Sequence, residues 1–422
     1  MRVLLVGSGG REHALARSLD ADPAVRELHA APGNPGIAEL AEVHDVRADD
    51  IAGLTELARR LAADLVVVGP EAPLVAGLAD ALAERGIACF GPSAAAARLE
   101  GSKAFAKDVM AAAAGVPTAR AYACTTPAEV DSALDAFGPP YVVKQDGLAA
   151  GKGVVVTRDR AAALAHASSC GEVVVEEYLD GPEVSVFAVC DGTRVVAFEP
   201  AQDFKRAYDG DEGPNTGGMG AYSPLPWAPC DLAEDVVARI VRPTVAEMAH
   251  RDAPFVGVLY AGLALTARGP RVVEFNCRFG DPEAQVVLAR LRSPLGELLA
   301  AAARGDLAGA EAPRSAPDAA VAVVMAAANY PEKPETGDPI DGVADAAAGP
   351  DAYVLQAGTR RDGGGLVTAG GRVLSVVGRG PGVLQARAAA YGAVERIHIP
   401  GAHHRSDIAA VDCVAPVGPT PR

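Results

Sequence analysis

The sequence predicts mixed α/β and α+β architecture: an N-terminal parallel α/β sheet domain, a hairpin-rich central domain, and a C-terminal mixed or mainly β domain. Three observations carry this. Short continuous apolar runs alternate with helical patterns over the first hundred residues. From about Gly101 many strands follow with few helices between them. A stretch rich in Gly, Pro, Ala and charge, Arg304–Pro317, then precedes a third group of strands. At roughly 150 residues per domain, 422 residues fit two to four domains. The expected spans are 1–100, 101–310 and 318–422.

The first strand is Val3–Val6, followed by a Gly-rich turn and a helix. Leu65–Val68 is another, ending in Gly69-Pro70-Glu71, and Ile87–Phe90 a third, ending in Gly91-Pro92-Ser93. Continuous apolar strands separated by helices imply a parallel sheet covered on both faces. Ligands of such a sheet bind beyond the carboxyl ends of its strands, where these turns lie. After the helix Lys103–Ala113, strands are expected at Thr118–Cys124, Tyr141–Lys144, Val154–Thr157, Val173–Tyr178, Val184–Cys190 and Arg194–Phe198. The segment Glu199–Pro229 is turn-rich, and a loop this long is usually functional or disordered. Strands return at Val256–Thr266 and Arg271–Asn276, then at Val321–Ala327, Tyr353–Gly358 and Val373–Val377, before a helix near Leu384–Arg396.

Composition narrows the function. Half of the residues are hydrophobic and 22% are charged, so the chain can bury a core. The formal net charge of −16 argues against nucleic acid, which needs a basic footprint. A phosphorylated small molecule remains compatible, because it needs only a nest of N–H groups and a few cations. The longest apolar run, Ala319–Ala328, is too short to span a bilayer, and no signal-peptide apolar region follows Met1, so no membrane partner is expected. Seven scattered cysteines without a CxxC pair fit buried thiols in a reducing cytoplasm.

Two glycine loops resemble nucleotide motifs and depart from them. Gly7-Ser8-Gly9-Gly10-Arg11-Glu12 follows a strand and opens a helix, where backbone N–H groups can meet an anion. The dinucleotide fingerprint wants glycine where Glu12 stands, and an acid where the second strand, Glu27–Ala30, runs into Pro32-Gly33-Asn34. A substrate phosphate or carboxylate fits better than a dinucleotide. Asp146-Gly147-Leu148-Ala149-Ala150-Gly151-Lys152-Gly153 has three residues between its first glycines, and Gly153 stands where a Walker loop needs Ser or Thr. Strands flank it on both sides, so it reads as a glycine-rich hairpin able to fold over phosphates.

The segment Arg271–Phe279 alternates. Period-two geometry puts Glu274, Asn276 and Arg278 on one face, and Phe275, Cys277 and Phe279 on the other. The polar face offers a carboxylate and an amide oxygen together, as hard Mg²⁺ requires, with a guanidinium next to them. Arg278 can then meet charge developing on a transferring phosphoryl group.

The motifs GSGGREHALA, APGNPG, VVVGPEAPL, FGPS, LEGSKAFAK, DGLAAGKGVVV, EEYLDGPE, QDFKR, GPNTGGMGAYSP and EFNCRFGDPEAQ occur in this order over most of the first 290 residues. Through them the chain closely resembles the glycinamide ribonucleotide synthetase family of the ATP-grasp superfamily. The C-terminal hundred residues match more loosely, through VVMAAANYP, AGT and GGRVL. The resemblance implies an ATP-grasp central domain with a small glycine-rich lid subdomain at about 118–190. It implies a carbon–nitrogen ligase of purine biosynthesis: ATP phosphorylates glycine, and the amine of 5-phosphoribosylamine attacks the glycyl phosphate.

The resemblance also implies roles. Lys103 and Lys144 match the lysines that hold ATP phosphates, and Gly147, Gly151, Lys152 and Gly153 match the lid over them. Glu176 and Leu179 match the hinge whose backbone reads adenine, and Glu183 matches the ribose-binding acid. Glu274 and Asn276 match ligands of Mg²⁺, with Mn²⁺ as a substitute. The phosphoribosylamine phosphate falls to the first glycine loop, with Gly9 and Gly10, and to the Gly33-Asn34 turn, and Glu71 is a further expected substrate-binding residue. Asp203, Lys205, Asn215, Gly217, Gly218 and Met219 border the glycine and amine sites. Arg278, Lys144 and Asp203 are the expected catalytic residues. Glycine and phosphoribosylamine are the expected small-molecule partners of a monomer.

The chain departs from the family pattern in places. Phe204 stands where relatives usually carry His, Gln145 replaces a small residue, and the stretch between Thr157 and Val173 is short. Two other functions compete: another ATP-grasp carboxylate–amine ligase with a different amine, and a non-catalytic nucleotide-binding subunit. The GPNTGGMGAY loop speaks against the first. Retention of Lys103, Lys144, Glu274 and Asn276 speaks against the second.

Overall fold

The computed structural model describes residues 1–148 and 153–410. Its N-terminal sheet has five strands: β1 (Arg2–Gly7), β2 (Glu27–Pro32), β3 (Glu42–Val43), β4 (Leu65–Val68) and β5 (Cys89–Phe90). Their order is β3-β2-β1-β4-β5, with every pair parallel. The apolar runs explain it. Val3 and Leu5 of β1 pack with Leu65 and Val67 of β4 on one face. Leu4 and Val6 pack with Val66 and Val68 on the other. Both faces of these strands are therefore core, and their carboxyl ends deliver the Gly7, Gly33 and Gly69 turns to one edge.

The next sheet is small and antiparallel. It comprises β6 (Ala121–Cys124), β7 (Tyr141–Gln145), β8 (Val154–Thr157) and β9 (Val173–Glu176), in the order β6-β9-β7-β8. Two helices not expected from the sequence cover it. Pro127–Phe137 starts from a Thr126/Glu129 capping box, and Arg160–Ser169 from the Asp159 side chain. Val130 and Leu134 pack with Val143 and Val175 in a separate core.

Strands β10 (Glu183–Asp191) and β11 (Val195–Ala197) leave this sheet. The turn-rich segment then forms β12 (Gln202–Asp203), β13 (Arg206–Tyr208), β14 (Glu212–Asn215) and β15 (Gly220–Ser223), before β16 (Val256–Thr266) and β17 (Gly269–Asn276). The larger central sheet runs β11-β10-β16-β17. Because β10 pairs with β16 along its whole length, the small sheet ends at Glu176 instead of near 190. A strand buried from Val184 to Asp191 needs cover on both faces, which the small subdomain does not offer.

The C-terminal strands are β18 (Ala319–Ala326), β19 (Ala352–Gln356), the hairpin pair β20 (Thr359–Asp362) and β21 (Gly365–Thr368), and β22 (Arg372–Gly380). The main sheet there runs β12-β15-β18-β22-β19. Two strands of the turn-rich segment thus cross the boundary expected near 318 and fasten the central domain to the third. A Cβ on Gly378 would stand 2.2 Å from the Ala386 carbonyl oxygen, so glycine lets the Ala-rich helix Val383–Val394 lie against β22. Among the described residues no helix is long and apolar enough to cross a membrane.

Candidate active site

Strand β17 carries a feature that simple alternation does not show. The β16–β17 pairing slips by one residue: Gly262 faces Glu274, and Leu263 faces Val272. Val273 is therefore a bulge. It changes the phase of the strand, so that Val272, Phe275, Cys277 and Phe279 are buried while Glu274, Asn276 and Arg278 stay partly exposed. Among the described residues, neither Glu274 nor Asn276 has a side-chain hydrogen bond or ion pair. A carboxylate and an amide oxygen on one face, without protein partners, suit a hard divalent cation. Burial raises the Glu274 carboxyl, but Lys205, Lys144, Lys103 and Arg278 outweigh it and hold the group below the usual carboxylate range.

The bulge also presents its carbonyl to a lysine. Lys144 Nζ donates to Val273 O at 2.8 Å and pairs with Glu176 at 2.9 Å. Glu176 is buried and binds a second cation, Lys107, at 3.1 Å. Lys107 also donates to Thr118 Oγ1 and Ala119 O. Burial pushes the Lys107 ammonium down to about 8, against the pull of Glu176. Lys107 is absent from the sequence-based set, although its helix is there. Lys103 Nζ donates to Gly147 O at 3.0 Å, and Asp146 accepts from Ser102 Oγ and from the Lys103 and Ala104 N–H groups. The first turn of that helix thereby holds the entry to the glycine hairpin. Gly147 has φ +100°, which favours glycine, and Gly153 O accepts from Gln145 N. Gly151 and Lys152 lie outside the described residues. Leu179 follows β9, and Glu183 opens β10 within 2.7 Å of Lys205.

Arg278 is held between carboxylates, 2.9 Å from Glu100 and 3.2 Å from Glu71. Glu100 also accepts the Cys277 N–H at 2.7 Å. Burial raises the Glu100 carboxyl against the pull of Arg278. Glu71 is thus brought to Arg278, where its carboxylate orients the guanidinium.

The first glycine loop is closed by its own helix. Glu12 Oε2 accepts the Gly9 N–H at 2.5 Å, and Oε1 accepts from Arg11 Nε at 2.6 Å. The Gly9 N–H is therefore engaged internally. Gly10 faces Gln285, Ala357 and Ser375. A cleft of about 230 Å³ opens here, lined by Ser8, Gly9, Asp281, Ala357, Gly358, Arg372 and Ser375. Four of these come from the third domain, none of them expected from sequence as a site residue. Arg372 donates to Gly217 O at 2.5 Å and Asp281 O at 2.6 Å, and pairs with the Asp281 carboxylate at 3.0 Å.

Asn34 is buried and fully engaged. Its Nδ2 donates to Ser8 O and Gln356 O, and its Oδ1 accepts from Gly36 N and Ile37 N. It fastens the two glycine turns to β19 and leaves no amide group for a ligand. Met219 is also withdrawn. Its side chain is completely buried, its N–H donates to Phe204 O, and its carbonyl accepts from Val324 N. Gly217 N donates to Tyr330 OH, Gly218 N to Thr216 Oγ1, and Asn215 pairs with Arg206 in the β13–β14 ladder. Phe204 is buried against Tyr222 with Arg405 over its ring, so it serves packing. Asp203 and Lys205 flank it, partly exposed and near Glu183 and Glu274. Burial raises the Asp203 carboxyl to about 8; Lys205 opposes this, while Glu283, Glu183 and Glu274 add to it.

Comparison with known proteins places this geometry. Residues 1–100, 101–284 and 320–411 match the N, ATP-grasp (A) and C domains of phosphoribosylglycinamide synthetase. A phosphoribosylamine–glycine ligase of Streptomyces coelicolor is 66% identical over 412 residues, covering 97% of this chain and 99% of the relative. One from Mycobacterium tuberculosis is 57% identical over 418 residues, covering 97% of each. The crystal structure of phosphoribosylamine–glycine ligase from Thermotoga maritima superposes with a TM-score of 0.84 at 34% identity, covering 97% of this chain and 100% of that one. A biotin carboxylase from Campylobacter jejuni, solved with β,γ-ATP, shares the fold at a TM-score of 0.74 and 15% identity, covering 98% and 95%. The three matched domains and the full-length relatives make this chain a member of the phosphoribosylglycinamide synthetase family.

Proposed function

We propose that this protein joins glycine to 5-phosphoribosylamine at the expense of ATP, giving glycinamide ribonucleotide, ADP and phosphate. The observation that carries this is the pair Glu274 and Asn276, unpartnered among the described residues and set among Lys103, Lys144 and Arg278 beside the glycine hairpin. The pair would hold Mg²⁺, with Mn²⁺ as a substitute, and the ion would neutralise phosphate charge. Lys103 and Lys144 orient the ATP phosphates, and Gly147, Gly151, Lys152 and Gly153 allow the hairpin to close over them. The Glu176–Leu179 backbone meets the adenine, and Glu183 the ribose.

A glycine carboxylate oxygen attacks the γ-phosphorus, and the bond to the β,γ-bridging oxygen breaks, releasing ADP. Arg278, oriented by Glu71 and Glu100, meets the charge on the moving phosphoryl group. The phosphoribosylamine nitrogen then attacks the acyl carbon and phosphate departs. Asp203, whose affinity for protons is raised, is the group suited to take the proton that the amine loses. Lys205, Asn215, Gly217 and Gly218 border the glycine and amine sites. Gly9, Gly10 and the third-domain wall around Arg372 border the phosphoribosyl group.

We assign the chain a monomeric, cytoplasmic role. Its exposed large apolar residues, among them Val43, Tyr122, Leu148, Tyr208 and Leu384, are spread over several domains. ADP release tests the reaction: it should require glycine, phosphoribosylamine and Mg²⁺ together. Turnover without glycine would refute it.

A further inference from the structure

Far from the ATP lysines in sequence, the edge of the N-terminal sheet gathers two histidines and two carboxylates. The backbone sets the arrangement. Parallel pairing of β2 with β3 places His29 opposite Glu42, and His44 N donates to Ala30 O at 2.9 Å. Glu42 and His44 are two residues apart, as are Glu27 and His29, so period-two geometry turns all four side chains to one face. His29 Nδ1 lies 3.1 Å from His44 Nε2 and 3.6 Å from Glu42 Oε2, and His44 Nε2 lies 4.0 Å from Glu42 Oε1.

We propose that His29 Nδ1, His44 Nε2 and the Glu42 carboxylate form a binding site for a borderline divalent ion, Zn²⁺, distinct from the catalytic metal pair. Zinc–nitrogen bonds of 2.0–2.1 Å in tetrahedral geometry separate two nitrogens by about 3.3 Å, close to the separation here. Two imidazoles and a carboxylate are a zinc donor set, whereas Mg²⁺ prefers oxygen. The Glu42 side chain is 70% exposed, so it is free to close the remaining few tenths of an ångström and leaves room for a water as fourth ligand.

A second observation points to the same ion. His29 is buried, and among the described residues its Nε2 has no hydrogen-bond partner. The Glu27 Oε2 carboxylate stands 3.8 Å from it and is itself fixed by Arg2 at 2.7 Å. In the absence of metal, the close His29–His44 contact requires one of its two nitrogens to carry a proton. Metal at Nδ1 fixes the proton of His29 on Nε2, directed at Glu27. This is the carboxylate–histidine–metal relay that orients ligating histidines. A bound ion would also fasten β3, paired to β2 through only His29 and Ala30, to the strand that leads into the Gly33–Asn34 turn.

The test uses Co²⁺ as a visible probe on the full-length protein, with Mg²⁺ and ADP in excess to fill the catalytic centre. The wild type should take up one Co²⁺ with the intense absorption of tetrahedral coordination, and Zn²⁺ should displace it. His44→Gln should abolish the band, and Glu42→Gln should weaken binding about tenfold or more. Both positions are at least partly exposed, so the variants should fold, and circular dichroism verifies it. Zn²⁺ should raise the melting temperature of the wild type but not of His44→Gln. Absence of the band in the wild type would overturn the proposal. So would a band of equal strength in His44→Gln, which would assign the ion to thiols such as Cys89 or Cys230.

Discussion

The Lys144 ammonium lies 2.8 Å from the carbonyl of Val273, the extra residue that turns Glu274 to the face shared with Asn276 and Arg278. A bulge normally leaves a backbone group unpaired. Here that group fixes Lys144, so one irregularity positions both the proposed metal ligand Glu274 and the proposed phosphate ligand Lys144.

Lys144→Met should break this link. The buried Glu176 keeps Lys107 as a partner, which limits the stability cost to about 1–3 kcal/mol. Turnover should fall by about 100-fold or more, because a cation aimed at the phosphates is gone. Thermal melts paired with initial rates separate the two effects.

Glu274→Gln and Cys277→Ser should behave oppositely, although they share one strand. Glu274 has no hydrogen bond or ion pair among the described residues, so Glu274→Gln should change stability by no more than about 1 kcal/mol. Its rate should nevertheless drop by orders of magnitude across a magnesium titration. Cys277 is buried against the Ala97 carbonyl. Cys277→Ser should cost roughly 1–3 kcal/mol while the folded fraction retains its turnover.

Arg372→Ala tests the third domain. The guanidinium binds Gly217 O and the Asp281 carboxylate on the wall of the 230 Å³ cleft. Losing charge-assisted bonds of this kind should raise KM for phosphoribosylamine about tenfold or more. KM for ATP should move little.

His13 should make stability depend on pH. Burial lowers its imidazole to about 4, with Gln356 N donating to Nδ1 at 2.8 Å. The fold therefore holds the neutral ring, whereas the unfolded chain protonates near 6.5. Stability from this group is complete above pH 6.5 and declines as pH falls toward 4, by up to about 3 kcal/mol. Chemical denaturation at pH 7 and pH 4.5 should show the loss in the wild type, and a smaller loss in His13→Gln.

Much of this was legible in the sequence. The apolar runs of β1 and β4 need no tertiary information, because burial on both faces leaves them no polar positions. The alternation from Glu274 to Phe279 separates Glu274, Asn276 and Arg278 from the buried Phe275, Cys277 and Phe279, as the structure has them. Other features were legible but not read: Thr126 and Glu129 spell a capping box three residues apart, and the helix follows. The remainder depends on long-range pairing. That β12 and β15 join the third-domain sheet, that Arg372 closes the cleft, and that Met219 and Asn34 are consumed by backbone contacts follow from strand neighbours distant along the chain. No local period encodes those contacts.

Isotope transfer tests the chemistry most directly. With both carboxylate oxygens of glycine labelled with ¹⁸O, attack on the γ-phosphorus carries one labelled oxygen into phosphate each time glycinamide ribonucleotide forms. Mass spectrometry of the released phosphate should therefore show one ¹⁸O atom per product, with ADP in equal amount. Unlabelled phosphate, or AMP in place of ADP, would contradict a glycyl phosphate formed in this cleft.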